Sequence, residues 1–158
     1  MKPGIYIETS IVSYLTARPS RDVIMAAHQL RTRQWWDERR DRYELFTSLV
    51  VWTEAAKGEP AMAKRRLAIL EQLNLLPVTP ASVDLAESLM KGLLPPKAAA
   101  DAAHLALTVG HGLPCILTWN CTHLANGDLI PHLFRRIVAA GYNTLVICTP
   151  EELLGGSI

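Results

Sequence analysis

KAAADAAHLALTVGHGLPCILTWN, residues 97–120, is the most informative segment of the chain. It predicts a helix of small and apolar residues, a Gly-Leu-Pro turn, a buried strand over residues 115–118, and the polar residue Asn120 just beyond that strand. Because the helix is apolar on nearly every face, we expect it to be buried. Asp101 lies near its start, and an ionised carboxylate there is costly unless a cation, a metal ion or several donors bind it. Asp101 is therefore the first candidate for a functional residue.

Length and composition indicate one globular domain spanning residues 1–158. The chain is 49% hydrophobic and 20% charged, which is ordinary for a folded domain. A domain of this size buries roughly 70% of its unfolded surface, so it can form a core unaided. The net charge of +1 argues against coating nucleic acid by bulk charge, although it permits a local basic patch.

Cysteine usage and hydropathy indicate a cytoplasmic protein. The three cysteines are odd in number and match no zinc-binding spacing, which favours a reducing environment. No signal peptide is recognisable at the start of the sequence. No segment approaches the roughly 20 apolar residues of a membrane span, so we expect no membrane association.

Short apolar strands alternate with helices along the whole chain. The expected strands are residues 4–8, 43–48, 75–78, 115–118 and 145–148. A long helix is expected over residues 22–42, and a shorter one over residues 49–57. Thr9 or Ser10 is expected to cap the first helix, and Ser48 the helix that follows it. This alternation predicts an α/β fold with a parallel sheet covered on both faces.

Four oxygen-bearing side chains are expected at one edge of this sheet. Glu8 ends the first strand, and Asn120 follows the strand at residues 115–118. Functional crevices of open parallel sheets lie beyond the carboxyl ends of the strands, where helices carrying Glu54 and Asp101 can border them. Carboxylate and amide oxygens suit hard cations such as Mg²⁺ or Mn²⁺. Such an ion can activate water and offset the charge of a phosphate.

Each of these residues also has a simpler interpretation. A single carboxylate is commonly a surface charge or a helix cap. His104 and His123 are candidates to orient a ligand or contact phosphate, or else are core and rim histidines. Trp35 and Trp36 are packing residues or base-stacking residues. The basic side chains that are candidates for holding RNA, or are simply solvated helix faces, are Arg31, Arg33, Arg39, Arg40, Lys64, Arg65 and Arg66.

Four segments together resemble the motifs of PIN-domain nucleases, and in particular VapC-type toxins of type II toxin–antitoxin systems. These segments are IYIETSIVSYL, TEAAKGE, AAADAAHLA and LTWN, in that order along the chain. The resemblance implies a three-layer α/β/α sandwich whose central parallel sheet has the strand order 3-2-1-4-5. It also implies Mg²⁺- or Mn²⁺-dependent cleavage of RNA, a homodimer, and neutralisation by a cognate antitoxin protein.

Carried over by position, the resemblance assigns roles to individual residues. The metal ligands and catalytic residues would be Glu8, Glu54, Asp101 and Asn120, the last acting through its side-chain oxygen or a bound water. The supporting residues would be Thr9, Thr118 and His104.

Two positions depart from the family pattern. Glu8 stands where aspartate is usual, and its side chain is one methylene longer. Asn120 stands where an acid is usual, which leaves three carboxylates instead of four. Both changes are expected to weaken metal binding and to reduce activity or alter the substrate range.

The sequence therefore supports a metal-dependent endoribonuclease, with a catalytically weakened PIN-like module that binds RNA or a partner protein as the alternative. A small phosphatase is disfavoured, because Glu8 is followed by Thr9 and Ser10 and no glycine-rich phosphate loop follows the first strand. The helix over residues 22–42 and the patch of Val12, Tyr14 and Leu15 are either a dimer or antitoxin surface, or part of the internal core.

Overall fold

One five-stranded sheet organises the computed structural model, which describes residues 1–155. The strands are β1 (Gly4–Ile7), β2 (Glu44–Ser48), β3 (Asn74–Leu76), β4 (Cys115–Leu117) and β5 (Val146–Cys148). The helices are α1 (Thr9–Thr16), α2 (Val23–Glu38), α3 (Leu49–Ala55), α4 (Pro60–Leu70), α5 (Pro80–Met90), α6 (Ala99–Gly110), α7 (Ile130–Ala139) and α8 (Pro150–Leu154). Within this described part, no helix is both long and apolar enough to cross a membrane.

All strand pairs of the sheet are parallel, and their order is β3-β2-β1-β4-β5. Strand β1 is central, with Tyr6 opposite Phe46 of β2 on one side and Ile116 of β4 on the other. Helices flank the sheet, so the molecule is the three-layer α/β/α sandwich expected from the sequence. The carboxyl ends of β1 and β4 therefore lie side by side, which is the edge where the candidate residues were expected.

Helix α6 forms the buried centre of one helical layer. Its apolar residues Ala102, Leu105 and Ala106 are fully buried. The helix ends at Gly110, and the chain turns through Gly112, whose φ of +68° favours glycine. The burial predicted for this helix from its all-round apolar pattern is confirmed.

Helix α2 differs from its prediction in length. It begins after Asp22, whose carboxylate accepts a hydrogen bond from Met25 N at 2.8 Å and caps the helix. It ends at Glu38, and Arg40–Arg42 forms a separate 3₁₀ turn. The predicted single helix over residues 22–42 was therefore too long, because the charged segment at its end forms that tighter turn instead.

The buried face of α2 also differs from the expected one. Val23 and Leu30 are 83% and 63% exposed, whereas Gln29, Thr32 and Trp35 are buried. The interpretation of the apolar stripe as internal core was therefore wrong. Trp35 and its neighbour Trp36 pack in the core, so the base-stacking interpretation of this pair was wrong as well.

Candidate functional site

Glu8 lies at the junction of β1 and α1 and is 4% exposed. Its Oε2 accepts hydrogen bonds from Ser10 N at 2.9 Å, from Thr118 Oγ1 at 2.9 Å, and from the Ser10 hydroxyl. Glu8 itself, rather than Thr9 or Ser10, is the cap of α1. The carboxylate is thus held at the positive end of a helix and tied to the residue that follows β4.

Glu54 lies on α3 and faces α1 and α6. Its Oε1 accepts hydrogen bonds from His104 Nε2 at 2.6 Å and from Thr9 Oγ1 at 2.7 Å. Burial raises the pKa of Glu54, but the hydrogen bond and charge of His104, the Thr9 hydroxyl and the charge of Lys57 together lower it below its ordinary value. Glu54 is therefore an anion at neutral pH.

His104 is fully buried and connects Glu54 to the interior of the sheet. Its Nδ1 lies 2.7 Å from the Tyr6 hydroxyl, which lies 2.7 Å from Ser48 Oγ. Because an ionised carboxylate only accepts hydrogen bonds, Nε2 must carry hydrogen toward Glu54. In the neutral ring Nδ1 accepts from the Tyr6 hydroxyl, and in the charged ring it donates to that hydroxyl. Ser48 is the N-cap residue of α3, as predicted, but its side chain bonds Tyr6 and makes no cap hydrogen bond to the helix.

Tyr6 and Ser48 were missed by sequence reasoning. The signal was a tyrosine within an apolar strand, since a buried tyrosine hydroxyl usually has a hydrogen-bond partner. Burial raises the pKa of the Tyr6 hydroxyl, with smaller contributions from Glu8 and Glu54, so it stays protonated and able to donate. What no sequence pattern revealed is that its partner is His104, which is 98 positions away.

Asp101 and Asn120 are linked through His123. Asp101 Oδ2 lies 2.9 Å from His123 Nδ1. The Asn120 side-chain oxygen accepts from the backbone N–H groups of Thr122 at 3.2 Å and His123 at 3.0 Å. Asn120 thus orders the turn that presents His123 to Asp101. Its role as a direct metal ligand stays a prediction, because two backbone donors already occupy that oxygen.

The donor types of this site fit Mg²⁺ or Mn²⁺, since all are carboxylate or amide oxygens. Hydrogen bonds from residues 1–155 reach only one oxygen of each carboxylate, Oε2 of Glu8, Oε1 of Glu54 and Oδ2 of Asp101. The second oxygen of each is left for an ion or its waters. Among those same residues, no three His, Cys, Asp or Glu side chains lie close enough together to enclose an ion. Since Mg²⁺ usually takes one or two carboxylates and keeps several waters, the site fits a water-rich ion better than the enclosed four-ligand pocket that was expected.

Several of the basic side chains proposed to hold RNA have other partners. Arg31 pairs with Glu151 at 2.7 Å, and Arg33 donates to the Ala17 carbonyl at 3.0 Å. The side chain of Arg40 lies over the ring of Trp36. Arg66 donates to the Ala55 carbonyl at 2.8 Å and to the Lys57 carbonyl, bracing α4 against the end of α3. Of the basic cluster on α4, Lys64 and Arg65 are exposed.

A three-layer sandwich with this strand order, and with acidic residues at the carboxyl edge of its central strands, is the PIN-like fold of VapC-type proteins. No protein-family model matches the sequence, and no curated protein matches it. The fold assignment therefore depends on the similarity to solved structures.

Two solved structures illustrate this similarity. One is VapC20 of Mycobacterium tuberculosis, described as a toxin that cleaves the sarcin–ricin loop, with 18% identity and a TM-score of 0.57 over 75% of this chain and 91% of that chain. The other is VapBC2 of Rickettsia felis bound to a promoter DNA fragment, with 14% identity and a TM-score of 0.58 over 92% of this chain and 98% of that chain. At these identities the comparison establishes the fold.

Proposed function

We propose that this protein is a metal-dependent endoribonuclease, the toxin of a toxin–antitoxin pair, acting as a single domain over residues 1–158. The observation that carries the proposal is the position of Glu8, Glu54 and Asp101. They come from three distant parts of the chain, and each lies beside the carboxyl ends of β1 and β4 with one oxygen uncommitted. The fold is shared with VapC20, which is itself described as an RNA-cleaving toxin.

The residues of the chain divide the work between binding and positioning. A bound Mg²⁺ or Mn²⁺ would supply an activated water and offset the charge on the phosphate. Glu8, Glu54 and Asp101 would hold the ion, directly or through its waters. Thr118 holds the hydrogen-bonded oxygen of Glu8, and Thr9 and His104 hold that of Glu54. Asn120 orders the turn beside Asp101.

Cleavage of RNA by purified protein with Mn²⁺ tests this proposal. Asp101→Asn keeps the size of the side chain and an acceptor for His123, but it removes the charge, and it should abolish cleavage. Asp84→Asn, an exposed position on α5, is the matched control and should cut like wild type. Equal cleavage by wild type and Asp101→Asn would indicate a contaminating nuclease and overturn the assignment.

A second candidate function is a catalytically weakened PIN-like module that binds RNA or a partner protein. It is favoured by Glu8 and Asn120 standing at positions where the family usually has aspartate and an acid, and by the lack of an enclosing cluster of ligands within residues 1–155. Calorimetric titration with Mn²⁺ distinguishes the two. Heat of binding that disappears in Asp101→Asn supports the nuclease, whereas no binding at millimolar Mn²⁺ supports the module.

The partners in this proposal are an RNA substrate, a cognate antitoxin and a second copy of the chain, all in the cytoplasm. The exposed apolar face of α2, formed by Val23, Ile24 and Leu30, supports a protein partner at that surface. VapBC2, one of the solved structures with this fold, is named as a complex bound to promoter DNA. Co-purification with the product of a neighbouring short reading frame tests the antitoxin, and light scattering of the isolated chain tests the dimer.

A further inference from the structure

Three aromatic rings meet beside the candidate site, although they are far apart in the sequence. Tyr14 lies on α1, His28 on α2, and Trp119 directly precedes Asn120. The His28 and Trp119 rings are stacked, with centroids 4.0 Å apart and an interplanar angle of 13°. Tyr14 is inclined to both, at 6.1 Å from His28 and 6.3 Å from Trp119.

This aromatic cluster is not simply part of the core. All three rings are half-buried, whereas Tyr6 and Trp35 are fully buried. Trp119 packs against the core, whereas Tyr14 lies outside the hydrophobic residues that form the core or pack against it. Partly exposed aromatic rings in a fixed arrangement are suited to stacking against another flat ring.

Hydrogen bonds connect Trp119 of this cluster to the Glu8 carboxylate. Trp119 Nε1 donates to Thr32 Oγ1 at 2.7 Å, so the indole polar group is already satisfied within the protein. Trp119 N donates to Ser10 Oγ at 2.9 Å, and the same Ser10 hydroxyl donates to Glu8. Ser10 therefore contacts both the backbone of Trp119 and the Glu8 carboxylate.

The Tyr14 ring lies 6.3 Å from that of Trp119, the residue before Asn120. Burial raises the pKa of Tyr14, and the nearby Cys121 and Glu8 raise it further.

We propose that Tyr14, His28 and Trp119 form a binding surface for an unpaired nucleobase next to the bond to be cut. A stacking contact beside the carboxylates is favourable because it involves no net charge. The carboxylates themselves repel phosphate when no cation is bound. Every base presents a π-face, so such a surface accepts single strands with little sequence preference. Bases within an RNA duplex are already stacked and are not available to it. The inference rests on the proposed ribonuclease function and narrows its substrate to single-stranded or looped RNA.

Binding measured without metal tests this site separately from catalysis. Fluorescence anisotropy of a labelled short poly(A) strand measures binding with a metal chelator present. The proteins compared are wild type, Tyr14→Leu, Tyr14→Phe and Tyr142→Leu. Tyr142→Leu is the control, because it changes a half-buried tyrosine elsewhere in the molecule. Losing one base stack weakens binding by about fivefold or more, so Tyr14→Leu should lose at least that much, with Tyr14→Phe and Tyr142→Leu close to wild type. An abasic strand of equal length should bind weakly and equally to all four proteins.

A second measurement tests the site without Tyr14→Leu, in case that variant does not fold. Stacking of a base near Trp119 should quench tryptophan emission in wild type, and Trp119→Phe should remove that quenching while keeping a ring. Equal binding of poly(A) by wild type and a folded Tyr14→Leu would overturn the site. So would a Tyr14→Leu variant that loses as much affinity for the abasic strand as for poly(A). Tyr14-dependent binding without any Mn²⁺-dependent cleavage would instead support the base-binding site and contradict the proposed nuclease function.

Discussion

His104 Nε2 lies 2.6 Å from Oε1 of Glu54, although 50 positions separate the two residues in the chain. His104 is fully buried and the Glu54 side chain is 31% exposed, so this contact spans from the core to the candidate site. On the far side of the ring, Tyr6 and Ser48 complete the hydrogen bonds of His104. The orientation of the Glu54 carboxylate, a candidate metal ligand, thus depends on polar groups inside the sheet.

Replacing Tyr6 by phenylalanine tests this dependence. The change leaves His104 Nδ1 and the Ser48 hydroxyl buried without their partner, which should lower the free energy of unfolding by about 1–3 kcal/mol. It should also reduce RNA cleavage, because the His104 ring loses the contact that orients it. Urea unfolding and cleavage rates measure the two effects. Tyr43→Phe, a half-buried tyrosine packed on Trp35, is the control and should change neither.

The ionisation of Glu54 should contribute to stability in a pH-dependent way. Its pKa is lower in the folded protein than in the unfolded chain. The contribution is therefore complete above the ordinary glutamate pKa of about 4.3 and is lost as the pH falls through the lowered value. Unfolding of wild type and Glu54→Gln should show wild type as more stable at neutral pH, with the difference shrinking in acid. Glu87→Gln, on an exposed face of α5, should show no such trend; a constant difference for Glu54→Gln would contradict the assigned pKa.

Glu8→Asp tests whether the longer side chain limits activity. Aspartate is a good helix cap, so α1 should keep its start. The carboxylate would withdraw by one methylene from Thr118, whose hydroxyl now lies 2.9 Å away. Under the proposed function, Mn²⁺-dependent cleavage should rise above that of wild type. Glu8→Gln keeps the length and removes the charge, so it should lower cleavage; a rise in both variants would contradict a metal-binding role for this residue.

Leu30→Glu tests the exposed face of α2 as a protein-binding surface. Because Leu30 is 63% exposed, the free energy of unfolding should change by no more than about 0.5 kcal/mol. Binding to the antitoxin or to a second copy should weaken, since a charge would be buried in an apolar contact. Co-purification and light scattering measure this. Val138→Glu, exposed on α7, is the control, and equal effects of the two changes would argue against a surface specific to α2.

Much of this architecture is contained in local sequence patterns. Alternating apolar strands and helices predicted the parallel sheet, and the motif resemblance predicted its order, which the structure confirms. The all-round apolar pattern of residues 99–110 predicted a buried helix. Glu8, Glu54, Asp101 and Asn120 were chosen because they follow strands or lie on helices near them, and their role as a metal site stays a prediction. The strands and helices can be predicted because periodicity is a local property of the sequence, whereas the strand order came from the motif resemblance.

Tertiary structure alone decided which groups these residues contact. The sequence did not indicate that the Ser48 side chain bonds Tyr6 rather than a backbone N–H of α3, or that His123 pairs with Asp101. Each of these hydrogen bonds joins two atoms that lie within 3 Å of each other but come from distant positions in the chain. It left open whether the apolar stripe of α2 is core or an interaction surface, and in the structure Gln29, Thr32 and Trp35 are the buried residues of this helix. The helical period indicates which residues share a face of a helix, but not which part of the protein packs against that face. A hydrogen bond between distant residues forms only when the fold brings both partners together.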